Sequence, residues 1–193
     1  MYVKKETEYQ LHPVIVKLIE DLVGGCTIAA DDLAQSDELA PGALVALDSN
    51  GLGHVVKTAK VYSDVGAAVT AIPIHKGSEL KVGDVVFDTG KTLAAEAIAT
   101  IDTSNADYDV LNLNAAIGAL TAGDLIIQAA AQAAAGSGAY KYTPKYVTMS
   151  LIDLSVGNQQ TGLLKRGTVN NLVMPYPIDA TLDALMPLID FEL

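Results

Sequence analysis

This sequence predicts a mainly β fold: small β-barrel(s) or a sandwich of short strands, with a helix near each end. Three observations predict it. A Leu-x-x-Gly-x-apolar pattern occurs four times, at Leu39–Leu44, Leu80–Val85, Leu120–Leu125 and Leu164–Val169. Its glycines, Gly42, Gly83, Gly123 and Gly167, are 41, 40 and 44 residues apart, and each sets a turn before an apolar run, as a tight turn feeding a strand requires. The apolar runs are short and are interrupted by turn chemistry at roughly 8–12-residue spacing, the pattern of sandwiches and barrels. The apolar half of the composition is mostly Ala, Val, Leu and Ile, with no Trp and two Phe, which fills cores without making deep aromatic pockets.

Residues 1–10 are polar and charged and read as an arm ordered on contact or a frayed terminus. Leu11, Val14, Ile15, Leu18, Ile19 and Leu22 then recur at helical spacing, with Pro13 suited to a first turn and Gly24-Gly25 to a stop. The spacing predicts a helix over about 12–23; a strand is its rival, because Val14-Ile15-Val16 is β-branched. Gly42 to Leu47 and His54 to Val61 flank Asp48-Ser49-Asn50-Gly51, the signature of a hairpin. Further strands are expected at Val69–Ile74, Asp84–Asp88, Ala97–Ile101, Asp109–Leu113, Gly123–Gln128, Tyr146–Leu154 and Leu163–Met174. Ala129–Ala135 fits one or two helical turns, ended by Gly136-Ser137-Gly138. Thr181–Met186 fits a short helix after Asp179, halted by Pro187, before a last extended run from Leu188. The division this implies is an N-terminal arm and helix over 1–27 and a β-barrel domain over 28–193. The repeat spacing also admits a four-bladed propeller, whose blades recur at roughly 40 residues, but no blade signature accompanies it.

Charge and cysteine content exclude several functions. The formal charge is −11 and Arg166 is the sole arginine, whereas a protein that grips phosphate backbones clusters Lys and Arg. No nucleic-acid partner is expected. Cys26 is the sole cysteine, so no internal disulfide can form. Leu22-Val23-Gly24-Gly25-Cys26 loosely matches a lipoprotein processing site, but Lys17, Glu20 and Asp21 interrupt the apolar stretch before it. Cys26 is therefore expected to be a buried small residue. No run approaches the roughly 20 apolar residues of a bilayer span, and no membrane partner is expected.

Chemistry-bearing motifs are sparse. His12, His54 and His75 lie far apart and unpaired, which with one cysteine argues against a zinc site; no cofactor or metal is expected. There is no nucleophile elbow, phosphate loop or dinucleotide fingerprint. Asp102 to Asp109 carries alternating oxygen donors, but position six from Asn105 is Val110 and position twelve is Ala116. Neither suits a calcium loop, so a solvated Asx turn is favoured there. Tyr140, Lys141, Tyr142, Lys145 and Tyr146 interleave aromatics with lysines, a candidate surface patch for a protein or glycan. Edge-strand tyrosines guarded by lysines explain it equally well.

Two stretches carry a resemblance. Glu38-Leu39-Ala40-Pro41-Gly42-Ala43-Leu44-Val45-Ala46-Leu47-Asp48, followed by His54-Val55-Val56 and on to Lys60, resembles the opening barrel of tailed-phage capsid decoration and head-fibre proteins. Arg166-Gly167-Thr168-Val169-Asn170, Met174-Pro175-Tyr176-Pro177 and Leu188-Ile189-Asp190-Phe191 resemble the closing strand, proline link and final strand of that family. Residues 61–162 are longer than in the compact decoration proteins, leaving open an inserted second barrel or a fibre-type accessory. The resemblance implies a non-enzymatic virion structural protein, made in the bacterial host cytoplasm. It would bind the phage major capsid protein at the capsid surface, as a homotrimer, with no catalytic residue. Leu11, Val14, Ile15 and Leu18 are the expected subunit or capsid contact, since an amphipathic segment ahead of a β domain needs a partner. The alternatives are a carbohydrate- or protein-binding β module using the tyrosine-lysine patch, and an enzyme assembled from scattered residues such as Asp102, Asp107 and Asp109.

Overall fold

A computed structural model describes residues 13–33, 38–90 and 93–192. In chain order its strands are β1 (Ile15–Asp21), β2 (Cys26–Ile28), β3 (Glu38–Leu39), β4 (Leu44–Leu47), β5 (Leu52–Val55), β6 (Thr58–Lys60), β7 (Ala71–His75) and β8 (Val85–Asp88). They continue as β9 (Glu96–Asp102), β10 (Tyr108–Leu113), β11 (Leu125–Ala129), β12 (Tyr146–Thr148), β13 (Ile152–Asp153), β14 (Gln159–Thr161), β15 (Leu163–Asn170) and β16 (Ile189–Glu192). One short helix, α1 (Ala180–Leu185), precedes β16. The chain is mainly β, and its curled sheets form a half-barrel.

The largest sheet runs β1-β15-β12-β4-β5-β2-β14, with β16 also on β15. One edge of the eight-residue β15 is taken by β1; β12 and β16 share the other, β12 at Leu163 and Leu164 and β16 from Gly167 to Asn170. The second sheet runs β6-β11-β8-β9-β10-β7, and its ends meet where Val61 bridges Ile74. Two cores result. One gathers residues from both ends of the chain, including Leu44, Val147, Leu163, Val169 and Ile189; the other is drawn entirely from Ala59 to Ile126. β11 serves both. Leu125, Ile127 and Ala129 face the first core, while Ile126 faces the second. That two-sided burial is why Leu-Ile-Ile-Gln-Ala reads as a continuous run without alternation.

Local chemistry explains the hairpin and the helix. Asp48 Oδ1 accepts from the amides of Asn50 (2.8 Å) and Leu52 (2.9 Å), and Gly51 takes φ +82°, so Asp48–Gly51 turns β4 into antiparallel β5. α1 starts at Asp179, whose Oδ1 accepts from the Leu182 amide at 2.8 Å. Three copies of the Leu-x-x-Gly pattern form turns with φ between +91° and +97°, feeding β4, β8 and β11. The fourth lies inside β15. There Gly167 is needed for close approach instead: a Cβ would stand 2.1 Å from the Lys17 carbonyl oxygen.

Two expectations are corrected. Residues 15–21, expected within a helix over 12–23, form strand β1. Register shifts between Ile15 and Lys17, Leu18 and Glu20, and Glu20 and Asp21 break the two-residue alternation. Val14, Ile15 and Leu22 therefore reach the first core from the two ends of the strand, imitating a helical period, while the β-branched run takes its extended preference. Ala129–Ala135 is not helical either. Ala129 ends β11, and Ala133 exchanges backbone hydrogen bonds with Ala95 at 2.9 and 3.1 Å.

Candidate functional site: a terminal edge strand and the aromatic clusters

β1 is the terminal strand of its sheet, held by β15 along one edge. Val16, Leu18 and Ile19 are each about half exposed. The strand therefore presents a run of apolar groups to solvent. Native edge strands are usually shielded by charge, bulge or cover. Here the bulges are present, and Lys165 Nζ on β15 pairs with Glu20 at 2.5 Å. Of the four expected contact residues, Val14 and Ile15 pack against the first core and Leu18 is exposed. Leu11 lies outside the described residues.

The tyrosine-lysine segment faces largely inward. Tyr146, in β12, is buried, Tyr140 packs on Phe87 at 5.6 Å, and Tyr142 stacks on His54 with centroids 4.3 Å apart and planes 11° from parallel. Lys141 lies over the Tyr142 ring and Lys145 over that of Tyr146. Burial raises the phenol pKa of Tyr140 and Tyr142, and Asp179 and Asp32, respectively, push in the same direction. These tyrosines are packing groups of the first core, not an open stacking platform. Lys145 also lines an apolar groove of about 340 Å³ with Pro144, Leu185, Met186, Pro187 and Leu188.

Other constellations are not legible as motifs in the sequence. His54 Nδ1 bonds to Asp32, and its Nε2 lies 3.8 Å from Asp48 Oδ2. A 3-10 turn at Ala30–Asp32 and the hairpin loop bring these groups together from 22 and 6 residues away. Tyr62 stacks on Tyr108 at 5.0 Å and meets His75 edge-on at 5.1 Å, on the outward face where Tyr108 pairs with His75. Between the two cores, Lys57 Nζ donates to Asp84 Oδ2 and Gln128 Nε2 donates to Asp84 Oδ1, both at 2.7 Å. A lysine inside Val55-Val56-Lys57-Thr58-Ala59 and a glutamine inside Leu125-Ile126-Ile127-Gln128-Ala129 are the sequence features that mark this last cluster. The Asp102–Asp109 loop closes on itself: Asp102 and Asn105 accept from the amides of Ser104 and Asp107 at 2.9 Å each, and Asp109 pairs with Lys76.

No family model, curated protein or solved structure matches this chain.

Proposed function

We propose that the protein is a non-enzymatic structural component of a tailed-phage or prophage virion, decorating or forming fibres on the head. In this reading it oligomerises as a homotrimer and docks on the major capsid protein at the capsid surface. The observation that carries the reading is β1: a strand that has no partner on its second edge among the described residues and that bears three half-exposed apolar side chains is suited to being covered by another chain. The formal charge of −11 supports a surface role, since like-charged particles stay apart and away from nucleic acid. The inward-turned tyrosines leave the strand as the better contact surface.

Substituting Leu18→Lys and Val16→Lys together tests this. Both side chains are half exposed, so the monomer fold should be retained, while light scattering should show loss of the trimer and capsid pull-down loss of binding. A double variant that keeps its oligomeric mass and still binds capsids would rule the reading out. A glycan- or protein-binding module is the second reading, favoured by the Tyr62–His75–Tyr108 cluster with its exposed Tyr62. Glycan-array binding lost on Tyr62→Ala would select it.

A further inference from the structure

Lys57, Asp84 and Gln128 are 1%, 6% and 3% exposed. Lys57 and Gln128 stand opposite each other, the Gln128 amide donating to the Lys57 carbonyl at 3.1 Å next to the Ile127–Thr58 pair of β11 and β6. Asp84 enters from the start of β8, which pairs with the other edge of β11. One carboxylate thus bridges a primary amine and a primary carboxamide, with 2.7 Å to each nitrogen. The Lys81 amide fixes that carboxylate by donating to Oδ2 at 3.0 Å.

As a simple ion pair the cluster is poorly satisfied. An ammonium has three donors, and among the described residues Nζ meets one acceptor, Asp84. The buried Oε1 of Gln128 meets no donor among them. Buried polar groups normally find partners, and a buried ion pair stabilises only when its remaining donors are also satisfied. Burial pushes the Lys57 ammonium below its ordinary pKa, against the opposing pull of Asp84, so the nucleophilic free amine is more accessible than in water.

We propose that Lys57 and Gln128 become joined by an isopeptide bond between Nζ and Cδ, with Asp84 as the proton carrier. Asp84 takes a proton from the ammonium, and the freed lone pair attacks Gln128 Cδ, forming the Nζ–Cδ bond. Asp84 returns the proton to Nε2, the Cδ–Nε2 bond breaks, and that nitrogen leaves as ammonia. The second Nζ proton passes through Asp84 to the ammonia, which departs as ammonium. A neutral secondary amide and an ionised Asp84 remain; nothing is oxidised or reduced. Holding amine and amide on paired strands supplies the proximity such a step needs, and general acid–base transfer by one positioned carboxylate supplies the rest. Exclusion of water protects the product. The bond's place gives it a purpose. Every residue of the second core lies between positions 59 and 126, so a link from 57 to 128 closes that core at its neck.

Intact-mass spectrometry of the purified full chain tests this. The folded protein should be lighter than its sequence mass by one ammonia, about 17 Da. A tryptic digest should lack cleavage after Lys57 and contain a branched peptide joining Lys57 to Gln128. Lys57→Arg keeps a cation beside Asp84 but should show the full sequence mass, and Asp84→Asn should retain the ammonia while still giving a β-type circular dichroism spectrum. Full sequence mass in the folded wild type overturns the proposal without reliance on any variant. So does loss of water in place of ammonia, or an ammonia loss that maps elsewhere. Complete linkage in Asp84→Asn would overturn the role given to Asp84.

Discussion

Replacing Gly167 by alanine probes the contact on which the edge strand depends. The added Cβ would stand 2.1 Å from the Lys17 carbonyl oxygen, 3.3 Å from its carbon and 2.9 Å from Leu164 Cδ1. The first two are main-chain atoms, so no rotamer change relieves them; β1 must retreat from β15 by at least about 1.3 Å to reach ordinary contact. A displacement of that size weakens the ladder on both sides of the Leu18–Gly167 pair. Overpacking of this kind costs about 1–3 kcal/mol, and a rigid backbone clash belongs at the upper end. For a chain of this size about 3 kcal/mol lowers the melting temperature by roughly 6–12 °C. Gly51→Ala is the control: φ there is +82° and nothing lies within 4 Å of the added carbon, leaving a backbone term of about 1 kcal/mol. Thermal melts by circular dichroism give both values, and amide exchange over residues 15–21 shows whether β1 has detached. If Gly167→Ala melts with Gly51→Ala and β1 stays equally protected, the close approach of the two strands is not what Gly167 provides.

Tyr176 is 5% exposed; burial, and then Glu79, hold its phenol up at about 12. Its folded value lies above its unfolded one, so its contribution is full below pH 10 and is lost as pH rises towards 12. About two pKa units correspond to about 3 kcal/mol, and Tyr176→Phe should flatten that part of the alkaline denaturation curve. Cys26 is buried and its thiol is pushed up to about 11 by desolvation; a thiol reagent at pH 8 should label it only after denaturation, and fast labelling of native protein would contradict the structure. Asp179→Ala removes the carboxylate that accepts from Leu182 and should cost about 1 kcal/mol by urea denaturation.

Much of the β architecture was legible because its punctuation is local. The Asp48–Gly51 turn, the glycines before β4, β8 and β11, and Asp179 ahead of α1 each fix their neighbourhood through a few adjacent atoms. The N-terminal segment misled because bulges in β1 scatter its inward residues at helix-like intervals, a feature dictated by β15, some 150 residues away. The short β2, β3 and β14 escaped notice because partners distant in the chain, not composition, make them strands. Among the candidate contact residues only a shared apolar stripe was legible; that Leu18 is exposed while Val14 and Ile15 pack inward follows from the segment being a strand and not a helix. The tyrosines were not legible as packing groups, since their partners Phe87 and His54 come from other strands. Lys57 and Gln128 were not singled out in the sequence: each is a polar residue in a mostly apolar run, and nothing local indicates that Asp84 comes to lie between them.

The central position of β15 has a consequence for synthesis. The first core takes its walls from β4 and β5, from β12 and β15, and from β16, so the early hairpin leaves the ribosome with its apolar face uncovered and waits about 90 residues for β12 and more than a hundred for β15 and β16. Such long-range closure is slow, and incomplete chains expose sticky intermediates meanwhile. Release of a nascent chain just before β16 would therefore yield aggregates in place of a slightly shortened, folded protein.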